Sequence, residues 1–261
     1  MPAVTVRDIL YNWNIEAQGI DVCDESTLEL PLTPISFADA PKWFQFSGGF
    51  DQSCKIYTSE EVMHDLRGIQ IARIPGKPAV SDVCVVILKA QPELRINIAS
   101  GPAKIFVGRY GHAFSATINT WRDPIVCIGD RVTSNGARIV VDNSSVIIGR
   151  DRMFSDEILV QSNDQHGIVD LKNKTLLNDK RRFIHIGEHV WIGRRATIMP
   201  DVTLGTGCII GAGAVVVNDT ESCSICAGAP ARIVRRDVSW SRAPENIDNR
   251  EFEFLERMHT Q

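Results

Sequence analysis

From Ile186 onward an aliphatic residue returns every six positions, as Ile186, Ile192, Ile198, Leu204, Ile210 and Val216, and Gly follows four of them. An α-helix requires apolar spacing near 3.6 and a surface strand requires alternation, so an exact period of six suits neither as a simple element. It suits a stack of very short strands. The stretch reads IGEHVW, IGRRAT, IMPDVT, LGTGCI, IGAGAV, VVNDTE. The units put a large aliphatic inward at the first position, a Gly or other small residue at the turn, and Val, Ala or Cys at the fifth. That composition suits a triangular coil whose corners lack room for bulk. Three units, about 18 residues, close one coil.

Composition narrows the class. At 261 residues, 44% hydrophobic and 23% charged, the chain has the make-up of an ordinary globular protein of one large domain or two small ones. Its 28 basic against 32 acidic residues leave a net charge of −4. No basic cluster is interleaved with aromatics, so a nucleic-acid partner has no electrostatic support. The start, MPAVTVRDILYNWNIEA, has no basic stretch followed by an apolar run, and no segment approaches 18 continuous apolar residues. The expectation is a cytoplasmic protein without a membrane span. Seven scattered cysteines are an odd number and read as free thiols rather than a disulfide framework. Cys223 and Cys226 form a CxxC, but a zinc site needs about four ligands and no second CxxC supplies them, so no metal is expected.

Residues 1–82 lack the hexad, carry five of the twelve prolines by position 75, and hold an aromatic patch of Trp43, Phe44, Phe46 and Phe50. They read as a separate N-terminal region packed on the end of the coil stack. Within them SEEVMHDLRGI (59–69) predicts a helix, from its starting Ser, nearby Glu and helical apolar pattern. A looser repeat begins at about residue 83, marked by FVG (106–108), CIG (127–129), IIG (147–149) and HIG (185–187). The gaps are 21, 20 and 38 residues, that is, two coils with a few extra residues and one coil plus about 20. That surplus falls on the polar stretch HGIVDLKNKTLLNDKRRF (166–183), and a long loop in a regular scaffold is often functional. The repeat domain therefore spans 83–236, followed by a tail at 237–261. In the tail, Pro244–Met258 is helix-compatible, with Phe252, Leu255 and Met258 three apart, and is expected to cap the coil end.

Six units in register, the segment HVWIGRRATIMPDVTLGTGCIIGAGAVVVND (189–219) and the closing AGAPARIVRR (227–236) resemble the hexapeptide-repeat acyltransferases. The resemblance covers about residues 95–236 and implies a mainly β fold, a left-handed parallel β-helix. Handedness comes with the resemblance, because left-handed crossovers between parallel strands are strongly disfavoured elsewhere. It also implies a homotrimer, in which the long loop of one subunit and the coil edge of the next form each active site. Acetyl-CoA would be the acyl donor. The acceptor would be a carbohydrate hydroxyl, and the arrangement around the loop is most similar to members that decorate surface polysaccharides or their precursors.

His166, in QSNDQHGIVD, matches the family's catalytic His. An imidazole, with a pKa near about 6.5, is suited to removing a hydroxyl proton near neutral pH; the alternative is an exposed loop histidine. Asp164 is the first candidate to orient the ring, with Asn163 and Asp156 as rivals for that role. Trp191, in VWIG, matches an aromatic that lines the cleft in similar transferases, or covers a coil turn. Gly211, Ala212 and Gly213 match the edge along which the pantetheine arm lies. Arg232 and Arg235 match the phosphate-contacting cations, a role the planar guanidinium fork fits. The chain departs from the pattern where Val217 and Asn218 replace a Thr-Lys pair, and where Arg194 and Arg195 occupy a turn that is often small or polar. These arginines could replace the lost cation, with Arg194 the cofactor-binding candidate, or they could obstruct the groove. His185 and His189 raise a rival, the γ-type carbonic anhydrases built on the same helix, whose paired zinc ligands need a wider spacing than the four residues here. A non-catalytic trimeric scaffold is a third possibility.

Overall fold

The computed structural model describes residues 3–39, 45–63, 68–76, 79–88, 93–109 and 113–259. Its body is a parallel β-solenoid of about seven turns. On one face the strands Lys55–Thr58, Val83–Ile87, Ala103–Val107, Ile125–Ile128, Ser144–Ile148, Arg182–Ile186 and Val202–Leu204 pair in parallel in that order. A second ladder runs through Gln45–Ser47, Ile69–Arg73, Glu93–Ile98, Phe114–Thr120 and Thr133–Val141. There it forks. Met153–Phe154, Trp191–Ile192, Ile209–Ile210 and Ser224–Gly228 continue as a second face, and Ile158–Gln161, Thr197–Ile198 and Val215–Val216 as a third.

The period of six is the period of the faces. Ile186, Ile192, Ile198, Leu204, Ile210 and Val216 are all buried, and so are the fifth-position residues Val190, Ala196, Val202, Cys208 and Ala214. Burying each large aliphatic contributes roughly 1.5–3 kcal/mol, so the two columns form the stabilising core of the stack. The Gly after the aliphatic answers close approach, because the next coil lies only about 4.8 Å away. A Cβ on Gly193 would sit 2.7 Å from Ala212 N, and one on Gly205 would sit 2.4 Å from Ser222 N. The gaps of 21, 20 and 38 reappear as ladder register, with Phe106 opposite Cys127, Cys127 opposite Ile147, and Ile147 opposite His185.

Four expectations are corrected. The stack begins before residue 83, since Ile56 pairs in parallel with Val85 and Ile71 with Ile96. Those early coils lack the Gly marker, and the register between Tyr57 and Val86 is 29 residues, enough to hide the repeat. In 59–69 the helix is the single turn Glu60–Met63, residues 64–67 lie outside the described ones, and Ile69 opens a strand. The N-terminal residues pack on the side of the stack, not its end. Helix Val6–Asn12 and the chain to Leu32 bring Leu10, Trp13 and Val22 onto the outward Val86, Phe106, Cys127 and Ile147. Of the aromatic patch, Trp43 and Phe44 lie outside the described residues, and Phe50 stacks on Phe37 at 4.7 Å. The C-terminal helix Asn249–His259 also lies along a side, with Phe254 4.3 Å from His189. The last coil is instead edged by Ala231–Arg236, antiparallel to Ser224–Gly228.

Ionisable groups inside this core set an alkaline limit. Burial pushes the Cys84 and Cys208 thiols up to about 12 and raises Cys23 and Cys127 as well. Arg152 stands where neighbouring coils have Val132, Val190 and Cys208, and burial lowers its guanidinium to about 9. A thiol whose value is raised on folding keeps its full stabilisation below about pH 9 and loses it above, by roughly 1.4 kcal/mol per pH unit. Arg152, lowered on folding, has the opposite sign and gains stability from about pH 9 upward. Four thiols outweigh one guanidinium. The midpoint of urea unfolding is therefore expected to fall between pH 8.5 and 10.5, and more shallowly in Cys208→Ala; a midpoint that holds or rises would contradict the assignment.

Candidate active site

The third face meets the first at a corner from which residues 162–181 leave the stack. Two buried asparagines shape this excursion. Asn163 donates from Nδ2 to Asp142 O (2.9 Å) and accepts the Asp164 N–H at Oδ1 (2.8 Å). Asn178 donates to His166 O (2.8 Å) and to Asp164 Oδ2 (2.9 Å), while its Oδ1 accepts the Ile168 N–H (2.8 Å). Beyond them the loop closes as a short hairpin, with Asp170 N bonded to Thr175 O and Leu177 N to Ile168 O. The backbone of His166 is thus held while its side chain is exposed. The residue lines a cavity of about 330 Å³, whose other walls include Trp121, Arg122, Gln165 and Asp179. Arg122 is fixed by two 2.8 Å hydrogen bonds to the buried Asp142 carboxylate.

The three groups weighed as partners of the imidazole are each engaged elsewhere. Asp164 accepts from Asn178 and lies 3.4 Å from Arg182 Nη1, so it ties the loop to the stack instead of meeting the ring. Asn163 spends its amide on the corner. Asp156 accepts from Arg194 Nε at 2.7 Å, and this hydrogen bond lowers its carboxyl below the usual range. The Arg194 cation is therefore already paired, and Arg195 is paired with Glu157.

The other candidates lie on different edges of the chain. Trp191 faces outward on the second face, half-buried, and its Nε1 is buried with no partner among the described residues. Gly211, Ala212 and Gly213 turn the corner between the second and third faces. Ala212 and Gly213 are exposed, and a Cβ on Gly213 would meet nothing within 4 Å. Arg232 and Arg235 are exposed on the terminal strand, and among the described residues neither makes an ion pair. Val217 and Asn218 are exposed nearby. A single chain therefore brings His166 together with Trp121 and Arg122, not with Trp191 or the glycine corner.

His189 is fully buried and has a structural occupation. Its Nδ1 lies 2.6 Å from Asp151 Oδ2 and its Nε2 2.9 Å from Trp240 O, while its ring stacks on Trp240 at 4.3 Å. Burial would raise Asp151, but hydrogen bonds from His189 and Arg242 outweigh it and hold the carboxyl well below its ordinary value. His185 lies on the outer side of the first face, where burial pushes its imidazole down. Of the CxxC pair, Cys226 points into the core and Cys223 turns a corner at φ 50°. Among the described residues no group of three or more His, Cys, Asp or Glu side chains is placed to hold a metal. Sequence reasoning missed Asn178 and Trp240, because an Asn in a polar loop and a lone Trp in a tail carry no spacing signal.

A model of the bacterial transferase hexapeptide (six repeats) matches residues 183–218. The polysialic acid O-acetyltransferase of Escherichia coli O1:K1 / APEC is 37% identical over 118 residues, 45% of this chain and 38% of that protein. The putative lipopolysaccharide biosynthesis O-acetyl transferase WbbJ of Escherichia coli strain K12 is 26% identical over 120 residues, 43% of this chain and 61% of that protein. The chain thus spans roughly four to six tenths of the length of these two curated relatives. The crystal structure of the polySia specific acetyltransferase NeuO superposes with a TM-score of 0.64 at 25% identity, covering 74% of this chain and 89% of that one. The polysialic acid O-acetyltransferase OatWY, at 16% identity and a TM-score of 0.50, shares the fold over 82% of this chain and 97% of its own.

Proposed function

We propose that this chain, which carries the bacterial transferase hexapeptide repeat over residues 183–218, is an O-acetyltransferase that moves the acetyl group of acetyl-CoA to a sugar hydroxyl. The acceptor would be a saccharide of surface polysaccharides or their precursors, the class to which the relatives' names point. The observation that carries the reading is the placement of His166, held through its backbone by Asn178 with its side chain exposed beside a cavity. His166 would take the acceptor hydroxyl proton as that oxygen attacks the thioester carbonyl, and would return a proton to the departing thiolate. An ester forms, a thioester breaks, and the base is restored. Asp164 would act through Asn178 and the loop backbone rather than on the ring.

The residues on the far edges fit the donor. The open corner at Ala212 and Gly213 suits a pantetheine arm, and among the described residues Arg232 and Arg235, which suit phosphates, make no ion pair and the buried Trp191 N–H has no acceptor. These lie apart from His166 within one chain, and a homotrimer would bring one subunit's loop to the next subunit's edge. The loop supports this with Ile168, Val169, Leu171, Leu176 and Leu177 all at least half exposed, Leu171 at 92%. No helix among the described residues is long and apolar enough to cross a membrane; the proposal puts the activity in the cytoplasm. Calorimetry with acetyl-CoA and free coenzyme A, on protein whose mass in solution is measured alongside, tests both points. Micromolar binding at three times 28.9 kDa is expected; a monomer, or no binding, would count against the trimeric transferase and return the scaffold reading.

A further inference from the structure

We propose that the cavity beside His166 is the acceptor subsite, and that it takes a neutral pyranose ring against the indole of Trp121. The proposal rests on the transferase reading, because only there does a hydroxyl bound beside His166 react.

Trp121 belongs to the stack, not to the loop. It follows strand Phe114–Thr120, and its backbone N–H donates to Val141 O at 2.9 Å, so the indole is carried by the regular ladder. Ladder register places Ala99 on one side of it and Asp142 on the other, since Ile98 pairs with Thr120 and Thr120 with Val141. Farther along the ladder this corner column holds the short polar residues Asp142, Asn163, Asp201 and Asp219; a half-buried Trp stands out there, and the small Ala99 beside it leaves the space that forms the cavity. At about 330 Å³ the cavity is at the small end of ligand pockets, about 300–1,000 Å³. An indole offers a flat apolar face to the C–H face of a sugar ring and a single N–H donor at its edge.

The polar lining favours hydroxyls over carboxylates. Trp121, Arg122 and Gln165 line this space, and among the described residues the Trp121 N–H, Arg122 Nη1 and the Gln165 side-chain amide make no hydrogen bond, so a donor–acceptor hydroxyl can serve them. Among the described residues the one Lys or Arg in the lining is Arg122, which Asp142 already pairs, and Asp179 adds a further carboxylate. Within one subunit's lining, an anionic sugar would meet no uncompensated positive charge. On this chemistry the acceptor is an uncharged hexopyranose, in contrast to the polysialic acid in the names of the similar proteins.

Saturation-transfer NMR decides the point without turnover. Methyl α-glucopyranoside, methyl β-galactopyranoside and 2-O-methyl-N-acetylneuraminic acid would be titrated into wild type, Trp121→Ala and Trp121→Phe, with acetyl-CoA calorimetry on the same samples. A neutral pyranoside is expected to bind wild type, to weaken roughly tenfold in Trp121→Ala, equivalent to about 1.4 kcal/mol, and to be largely retained in Trp121→Phe. Acetyl-CoA binding should be unchanged in both variants, which also reports that they fold. The proposal is overturned if no neutral pyranoside binds, if Trp121→Ala binds like wild type, or if the sialoside binds best. Sugar binding through Trp121 without acetyl-CoA binding would overturn the transferase reading and the acceptor role with it, while acetyl-CoA binding without sugar binding overturns this proposal alone.

Discussion

His166→Ala is expected to lower acetyl transfer by roughly 10²–10⁴-fold, the range for losing a general base, with acetyl-CoA affinity and thermal midpoint unchanged. The selectivity of this effect follows from how the residue is held. Its side chain is exposed and contributes nothing to the core, and Asn178 grips its carbonyl, a group the substitution keeps. A surface change of this kind usually alters stability by less than about 0.5 kcal/mol. The donor candidates lie on other edges of the chain, so kcat should fall while the acetyl-CoA KM holds. Wild-type turnover in this variant would remove His166 from the chemistry. A lowered thermal midpoint would show that the loop is supported by the ring and not by Asn178 alone.

Trp240→Ala is expected to release the C-terminal tail. Trp240 is buried, its Nε1 donates to His189 O at 2.9 Å, its carbonyl faces His189 Nε2, and its ring lies against the imidazole at an interplanar angle of 12°. Truncating a buried Trp costs about 3–5 kcal/mol, and here it also strips an acceptor's partner from the His189 backbone. Besides Trp240, the helix Asn249–His259 is held by Phe254 on His189, by Arg242, whose N–H donates to Glu251 while its guanidinium pairs with Asp151, and by the Arg257 to Glu188 pair at the surface. Such exposed pairs contribute little, about 0–1 kcal/mol. Hydrogen exchange should therefore show amide protection in 249–259 collapsing while the hexad strands stay protected, as nearest-neighbour stacking predicts. Protection that survives in the tail would mean that Trp240 is not its anchor.

The legible part of this protein was its repetition. Each hexad residue from Ile186 to Val216 meets the same environment in the coil above and below, so burial leaves a periodic trace that can be read without coordinates. The gaps between FVG, CIG, IIG and HIG were the ladder register itself. The point where the loop leaves the stack was legible because the same arithmetic left about 20 residues unaccounted for just beyond residue 166. The early coils were not, because the 29-residue step from Tyr57 to Val86 has no hexad and no Gly marker. The orienting carboxylate was misassigned because nearness in sequence says nothing of direction, and Asp164 turns to Asn178 and Arg182.

By itself, then, the sequence determined the coil, its period, its parallel stacking and the point where the loop leaves it, since all of these follow from local spacing against a translationally repeating core. Only the tertiary structure decided what is not periodic: the burial of His189 between Trp240 and Phe254, the docking of both termini on the sides of the stack, and the meeting of Trp121 with His166 across one cavity. Those contacts join residues 45 or more positions apart that share no repeat. Their partners are chosen by which surfaces the stacked coils leave exposed, and those surfaces exist only after the chain has folded.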